Sequence, residues 1–333
     1  MSMSNIRKAL IQSSLACLIG LTGAASADQV TLRFAHEAPE SAIKGQTANR
    51  FAELVSEYSE GSIRVDVFPG GQLVPTEEEI RATARGQVDF IAPFTSYFSS
   101  LDSNWDIFYQ PLLFATPEEA MSVFGGAVGE ELLAGLDGRG LVGLAIWHDG
   151  PVYLFTKSGA VTTVDGLQGK RVRVFPSDPL ESILRDLGAS PVSMPATEVY
   201  SALQQGVVNG VLTTPTFAAP AQWHEVLTGM TKTMMGVGGY GVAVSARNWN
   251  RLNSQQQAII LRAMEDATSW NHQVALENID RSIAQLADHG MEIVDPSDEM
   301  LTVWQGHADA IHARQGADMR ALIEMVRSET LND

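Results

Sequence analysis

The chain has 333 residues, of which 45% are hydrophobic and 18% charged, so its composition is that of a globular protein. It carries 39 acidic residues against 22 basic ones, a formal net charge of −17. Such a surface repels nucleic acid and anionic lipid, and an anionic ligand would need a local basic pocket. The length predicts two domains.

The first 27 residues have the pattern of a secretory signal peptide. Arg7 and Lys8 precede an apolar run of about 15 residues, which Ala25-Ser26-Ala27 follows. The run is too short and too rich in serine and glycine to span a membrane. We predict cleavage after Ala27. The mature chain then keeps 20 basic residues against 39 acidic ones, a charge of −19, and loses Cys17, its only cysteine.

Hydrophobic periodicity next predicts an open, mostly parallel α/β sheet. The predicted strands lie at 30–36, 63–67 and 88–92, and a predicted helix at 43–58 follows the first of them. A second helix, between the last two strands, would begin at a capping box of Thr76 and Glu79 and end at Gly86.

Two later segments repeat earlier ones in the same order. VRVFPSD at 172–178 resembles VDVFPGG at 65–71, which aligns Arg173 with Asp66. The segment 197–215 resembles 77–95 when Gly206 is aligned with Gly86. The repeat predicts two lobes of related topology.

Ligands of open α/β sheets bind at the carboxyl ends of the strands, so the loops after equivalent strands should face each other across a cleft. One predicted wall is 68–71 with 93–97, and the other is 175–178 with 213–217. The candidate lining residues are His36, Phe94, Tyr97, Trp147, Phe175 and Phe217.

The sequence KRVR at 170–173 places a cluster of basic residues just before one of these loops. As a strand it alternates apolar and cationic side chains. Arg173 would either grip a ligand carboxylate with two parallel hydrogen bonds or pair structurally with Asp178 or Glu181. The residues alone leave both interpretations open.

No motif predicts a catalytic group, a metal site or a cofactor. GVGGYG at 236–241 has the spacing of a dinucleotide fingerprint, but VAVSARNW after it reads as a strand and not as a helix N-terminus. We interpret these glycines as a bend where the chain recrosses between the lobes. From Ser254 a helical pattern of about 35 residues continues to Gly290, and its length of about 50 Å is enough to cross both lobes.

Three segments together resemble the DctP-type substrate-binding proteins of tripartite ATP-independent periplasmic (TRAP) transporters. They are FPGGQL at 68–73, LQGKRVRV at 167–174 and EVYSALQQGVVNGV at 198–211. The resemblance implies an α/β type II periplasmic binding fold, with two lobes, a central cleft and a long C-terminal helix spanning both. It also implies a periplasmic receptor that closes on an organic acid anion and delivers it to the membrane subunits of a TRAP transporter, with Arg173 pairing with the ligand carboxylate.

With this fold, we predict a first lobe of 28–149 plus about 236–275 and a second lobe of 150–235 plus about 276–333. The chain would cross between them near Gly150 and Met235.

The sequence departs from the family pattern at three places. Thr213 stands about where many members have asparagine, and the hydroxyls of Thr213 and Thr214 would donate to a ligand oxygen. Val152 replaces a second arginine of sialate-binding members, and Phe94 replaces their acid. These changes predict a smaller or more apolar monoacid than sialate.

Two alternative functions stay open at this point. A binding protein of an ATP-driven importer would share the fold and the compartment. A periplasmic enzyme on the same fold would need a nucleophile, a metal or an acid–base pair in the cleft, and no spacing predicts one.

Overall fold

The computed structural model describes residues 29–330, so the predicted signal peptide lies outside the described residues. The strands are β1 (Val30–Ala35), β2 (Ile63–Phe68), β3 (Phe90–Ile91), β4 (Leu141–Pro151), β5 (Tyr153–Thr156), β6 (Arg171–Val174), β7 (Ser190–Ser193), β8 (Gly210–Thr213), β9 (Gly229–Thr231), β10 (Val237–Ser245) and β11 (Glu292–Val294). The helices are α1 (Ile43–Tyr58), α2 (Thr76–Ala84), α3 (Pro117–Gly125), α4 (Ala127–Ala134), α5 (Asp178–Asp186), α6 (Ala196–Gln204), α7 (Pro215–Ala218), α8 (Ala246–Trp249), α9 (Ser254–Asp288), α10 (Asp298–Ala313) and α11 (Ala317–Thr330). Within this range, no helix is long and apolar enough to cross a membrane.

The strands form two sheets, one in each lobe, which confirms the predicted two-lobed α/β fold. The first has the order β2-β1-β3-β10-β4 and the second β11-β9-β5-β8-β6-β7. Each sheet contains three adjacent strands that pair in parallel, namely β2-β1-β3 in the first and β7-β6-β8 in the second, and β11 also pairs in parallel with β9 in the second. An antiparallel strand, β10 or β5, pairs beside each parallel set.

The shared strand order corrects one register of the predicted repeat. Both central strands, β1 and β6, come first in their units, so β1 and not β2 is equivalent to β6. Ala35 pairs with Ile91, and Arg173 pairs with Val211. Since the alignment of α2–β3 with α6–β8 places Ile91 on Val211, Arg173 is equivalent to Ala35. The alignment of Arg173 with Asp66 is therefore wrong, because the similar sequences of β2 and β6 belong to different strands of the unit.

The chain crosses between the sheets at Val152 and at 232–236. The two crossings are hydrogen-bonded to each other. The amide of Val152 donates to the carbonyl of Gly236 at 2.8 Å, and the amide of Met235 donates to the carbonyl of Val152 at 2.9 Å. A two-stranded ribbon therefore links the lobes.

Helix α9 has 35 residues, as the sequence predicted, and begins with a capping box of Asn253 and Gln256. It packs against α1 and β4 of the first lobe and against α7 of the second. Helix α10 packs on α5, whereas α11 packs on α3 and on the 3₁₀ turn Ser103–Tyr109 of the first lobe. The segment after 276 is thus shared between the lobes rather than confined to the second.

Two local predictions were wrong. Helix α2 begins at Thr76 after Pro75, without a side-chain cap, because Glu79 turns inward instead. Its carboxyl group is fully enclosed, and burial, with Glu37 nearby, raises its pKa. The glycines after 236 lie mostly within β10 rather than in a bend. At Gly238 a Cβ atom would lie 2.8 Å from the ring of Phe94, so the glycine permits this ring to approach the strand.

Candidate ligand-binding cleft

Arg173 lies inside the second sheet and is only 3% exposed. Its Nε donates to the carbonyl of Met194 at 3.0 Å, and its Nη1 lies 3.5 Å from the carbonyl of Leu212. Nη2 has no hydrogen-bond partner among the described residues, and it is not fully enclosed. Two carbonyls therefore orient the guanidinium and leave one nitrogen available.

The structural alternative for Arg173 does not hold in the described residues. Glu181 pairs with Arg185 on the surface of α5, and Arg173 forms no ion pair with it or with Asp178. Burial lowers the pKa of Arg173 to about 10, while Tyr97 and Glu37 oppose the shift. The guanidinium is therefore charged at neutral pH.

A cavity with an empty volume of about 350 Å³ lies beside Arg173, between the lobes. Its lining residues are Glu37, Phe94, Tyr97, Asp149, Arg173, Phe175, Ala196, Thr213 and Phe217. The ring centroids of Phe94, from the first lobe, and Phe175, from the second, are 4.7 Å apart. The walls are thus in contact and leave only a small space between them.

Two hydroxyl groups face this cavity, of which only that of Thr213 was predicted as a hydrogen-bond donor. The hydroxyls of Tyr97 and Thr213 have no hydrogen-bond partner among the described residues and are not fully enclosed. Burial raises the pKa of Tyr97, so its hydroxyl keeps its proton and can donate a hydrogen bond.

Six of the nine predicted site residues therefore line one cavity: Arg173, Phe94, Tyr97, Phe175, Thr213 and Phe217. The other three lie elsewhere. Thr214 is buried behind the cavity, where its hydroxyl donates to Asp149 at 2.6 Å and accepts from the amide of Phe217 at 3.2 Å. Its role in the structure is to cap α7 and fix Asp149.

Trp147 and His36 belong to the interior of the first lobe. Trp147 stacks on Phe34 at 5.8 Å, and its Nε1 donates to the hydroxyl of Thr268 at 3.0 Å. Trp147 precedes the end of β4 by four residues, too far from the carboxyl end to reach the cleft. His36 packs edge-on against Phe34, and burial, with Lys44 nearby, lowers its pKa to about 3.

Two acids at the cavity, Glu37 and Asp149, were not among the predicted ligand contacts. Glu37 follows β1, and its Oε2 accepts a hydrogen bond from the ammonium of Lys44, which is fully buried in α1. Lys44 also donates to the carbonyl of Ala92 at 3.0 Å and lies 4.0 Å from the ring centroid of Tyr240. A lysine on an amphipathic helix is normally exposed, so no sequence signal identified this pair.

Asp149 is the second acid at the cavity, and its carboxylate is already occupied. Its two oxygens accept hydrogen bonds from Thr214, at 2.6 Å, and from Thr216, at 2.7 Å. Burial raises its pKa, and these hydrogen bonds oppose the shift. Asp149 therefore braces the crossing region near Gly150 more than it faces a ligand.

Two α/β lobes joined by a ribbon, with a guanidinium aimed into the cavity between them, define a solute-binding protein. A model of the family described as bacterial extracellular solute-binding protein, family 7 (DctP), matches residues 34–318. The chain belongs to this family.

Individual relatives agree with this assignment. The C4-dicarboxylate-binding protein DctB of Bacillus subtilis is 30% identical over 286 residues, covering 86% of this chain and 82% of that protein. A TRAP periplasmic solute-binding protein from Sulfurospirillum deleyianum, solved with bound succinate, has a TM-score of 0.84 and 28% identity, over 90% of this chain and 98% of that one. The sugar-acid-binding protein of Advenella mimigardefordensis, solved with galactonate, shares the fold with a TM-score of 0.86, at 22% identity over 90% of this chain and 99% of that one.

Proposed function

We propose that the protein is a periplasmic receptor that binds a small organic acid through Arg173 and delivers it to the membrane subunits of a TRAP transporter. The observation that carries the proposal is the unpartnered Nη2 of Arg173 beside a cavity between the lobes. A buried cation with one nitrogen unpaired is costly unless an anion completes its hydrogen bonds.

Charge and family support the same conclusion. The chain carries a net charge of −17, so the guanidinium is a local attraction for anions on a molecule that otherwise repels them. The ligands named for the relatives above, succinate and galactonate, are both carboxylates. Family membership favours a TRAP transporter over an ATP-driven importer as the partner, and the leader pattern favours export to the periplasm.

Contacts from both walls provide a mechanism for closure. A ligand carboxylate on Arg173 would also touch Phe94 and Tyr97 of the first lobe, since all three line one cavity. These contacts exist only when the lobes are together, so binding stabilises the closed state. The ribbon at Val152 and Gly236 is the place where a hinge rotation is absorbed.

The test is a thermal-shift screen of the mature chain, residues 28–333, against small organic acids and the primary amide of each acid. We expect at least one acid to raise Tm and its amide, which lacks the charge, to leave Tm unchanged. At a ligand concentration of 100 Kd, binding should raise the free energy of unfolding by about 2.7 kcal/mol. Two results would contradict the proposal: an acid and its amide raise Tm equally, or no acid raises Tm.

Delivery to a transporter needs its own measurement. In proteoliposomes that contain TRAP membrane subunits, uptake of the labelled acid should require both this protein and a sodium gradient. Uptake that instead needs ATP would favour the alternative importer.

A further inference from the structure

We infer that the ligand is a monocarboxylate that carries a hydroxyl group, and that Glu37 accepts the hydrogen bond of this hydroxyl and so determines specificity. The inference rests on the proposed function and names the ligand class of the same cavity. It depends on the charges of the lining residues, on the contacts of Glu37 and on the fixed position of Lys44.

The cavity provides for one carboxylate and not for two. Among the described lining residues, Arg173 is the only basic residue. The lining also contains two acidic residues, Glu37 and Asp149. Val152 is buried at the crossing and brings no charge. A second ligand carboxylate would therefore lie against acids without a cation of its own, which disfavours dicarboxylates.

Glu37 has one oxygen committed and one available. Oε2 accepts from Lys44, whereas Oε1 has no hydrogen-bond partner among the described residues and is not fully enclosed. The residue itself is only 5% exposed. A carboxylate oxygen only accepts hydrogen bonds, so the available Oε1 favours a ligand group that donates one.

The charge of Lys44 favours a neutral hydrogen-bond donor on the ligand over a charged one. Its ammonium is fully buried and is held in place by Glu37, the carbonyl of Ala92 and the ring of Tyr240. The charge of Glu37 is thus already neutralised, and a ligand ammonium at Oε1 would lie close to a second ammonium. A neutral hydroxyl donates to Oε1 without this repulsion, so a hydroxy acid fits better than an amino acid. Lys44 acts as a positioning residue for Glu37.

The rest of the lining suits the carbon skeleton of such a ligand. Phe94, Phe175 and Phe217 supply apolar surface, while the hydroxyls of Tyr97 and Thr213 either donate to the carboxylate or accept from a further hydroxyl. The space between the two walls is small, because the rings of Phe94 and Phe175 are in contact, and this suits a small acid.

The experiment is calorimetric titration of the mature chain with a matched set of C3, C4 and C6 acids. Each length is represented by the unsubstituted acid, its hydroxylated counterparts, the 2-amino acid and the dicarboxylate; for C4 these are butyrate, 2-, 3- and 4-hydroxybutyrate, 2-aminobutyrate and succinate. We expect the tightest ligand to be a hydroxy monocarboxylate that binds at least tenfold more tightly than its deoxy, amino and dicarboxylate counterparts.

Variants then assign the preference to Glu37. In Glu37→Gln the hydroxy-to-deoxy ratio should fall to about threefold or less, while binding still requires the carboxylate. Because this change leaves Lys44 buried without its counterion, the double variant Glu37→Gln/Lys44→Met serves as a second test with the same expected ratio. Glu40→Gln removes an exposed acid three residues away and should leave the ratio unchanged.

The outcomes separate this inference from the proposed function. If a dicarboxylate, an amino acid or an unsubstituted acid binds most tightly, or if both Glu37 variants keep the full hydroxyl preference, the inference fails while carboxylate binding stands. If no acid binds, or the acids bind no better than their amides, the proposed function fails with it.

Discussion

The central strands of the two lobes, β1 and β6, are equivalent in topology and opposite in what they bring to the cleft. In β6 the position equivalent to Ala35 is Arg173, a cation inside the sheet. Two residues after the end of β1 the chain instead places Glu37, an acid whose charge is neutralised by the buried ammonium of Lys44. In the proposed mode of binding, Arg173 on one wall attracts the anion, and Glu37 on the other wall, neutralised by Lys44, orients it.

The difference shows how a repeated fold builds an asymmetric site. The three-strand parallel unit has the same strand order in both lobes, so the charges on each wall depend on a few side chains near the carboxyl ends of its strands. Affinity should therefore depend on the second lobe and selectivity on the first. Each prediction below separates one wall, or one element that supports it, from the other.

The largest effect is expected at Arg173. Arg173→Ala should weaken binding of the best acid at least 100-fold, about 2.7 kcal/mol or more, because truncating one partner of a buried charge pair costs about 2–5 kcal/mol. Calorimetric titration measures the change. Arg171→Ala, an exposed cation two residues away on the same strand, is the matched control and should bind within about twofold of the wild type. Equal losses in both variants would mean that general charge, and not the Arg173 contact, attracts the ligand.

On the first-lobe wall, loss of Lys44, which holds Glu37 in place, should mainly lower the stability of the fold. Lys44→Met leaves Glu37 buried without its counterion and should lower the free energy of unfolding by about 3 kcal/mol in urea titrations. Arg64→Met breaks an exposed ion pair with Asp66 and should lower the free energy of unfolding far less. If the two substitutions destabilise the protein equally, the interior pair does not hold the first wall.

A pH-dependent effect is expected at Asp106, in the first lobe. Burial raises its pKa to about 7, with Asp178 of the second lobe adding to the shift and the hydroxyl of Ser99 opposing it. The folded state therefore binds a proton more tightly than the unfolded state, and stability is lost as pH rises from about 4 to about 7.

Asp106→Asn removes this loss. The variant should be about 2 kcal/mol more stable than the wild type at pH 8 and nearly equal to it at pH 4, as urea titrations at both values would measure. A gain that does not change between these pH values would show that Asp106 titrates normally.

The smallest effect is expected from the apolar contact between the walls. Phe175→Ala removes ring contacts with Phe94 at 4.7 Å and Tyr109 at 4.8 Å, and should weaken ligand binding about tenfold, roughly 1.4 kcal/mol. The preference for acids over amides should persist, because Arg173 is unchanged. Val207→Ala, which trims an exposed side chain of the same lobe, should leave affinity as it is.

The sequence predicted the fold well, because periodicity and chain order encode it directly. The alternation of Val172 and Val174 around Arg173 correctly indicated a strand, and the pattern after Ser254 correctly gave the length of α9. The register of the repeat was misjudged because VDVFPGG and VRVFPSD are similar in sequence although they occupy different strands of their units. Local similarity does not report strand order; only hydrogen-bonded neighbours do.

The site was only partly predictable for a related reason. The topology predicts that residues shortly after a parallel strand lie at the cleft, and Phe94 and Phe175 were identified in this way. Glu37 depends on Lys44, a residue on a helix whose burial results from the packing of α1 against the sheet. Trp147 and His36 looked like cleft residues because strand ends are hard to locate from sequence, and both turned out to fill the core.

A crystal structure of the mature protein with the tightest acid from the titrations tests the central claim most directly. We predict that a carboxylate oxygen lies about 2.7–2.9 Å from Nη2 of Arg173, with both lobes in contact with the ligand. A carboxylate bound elsewhere, with Nη2 still unpartnered, would contradict the account.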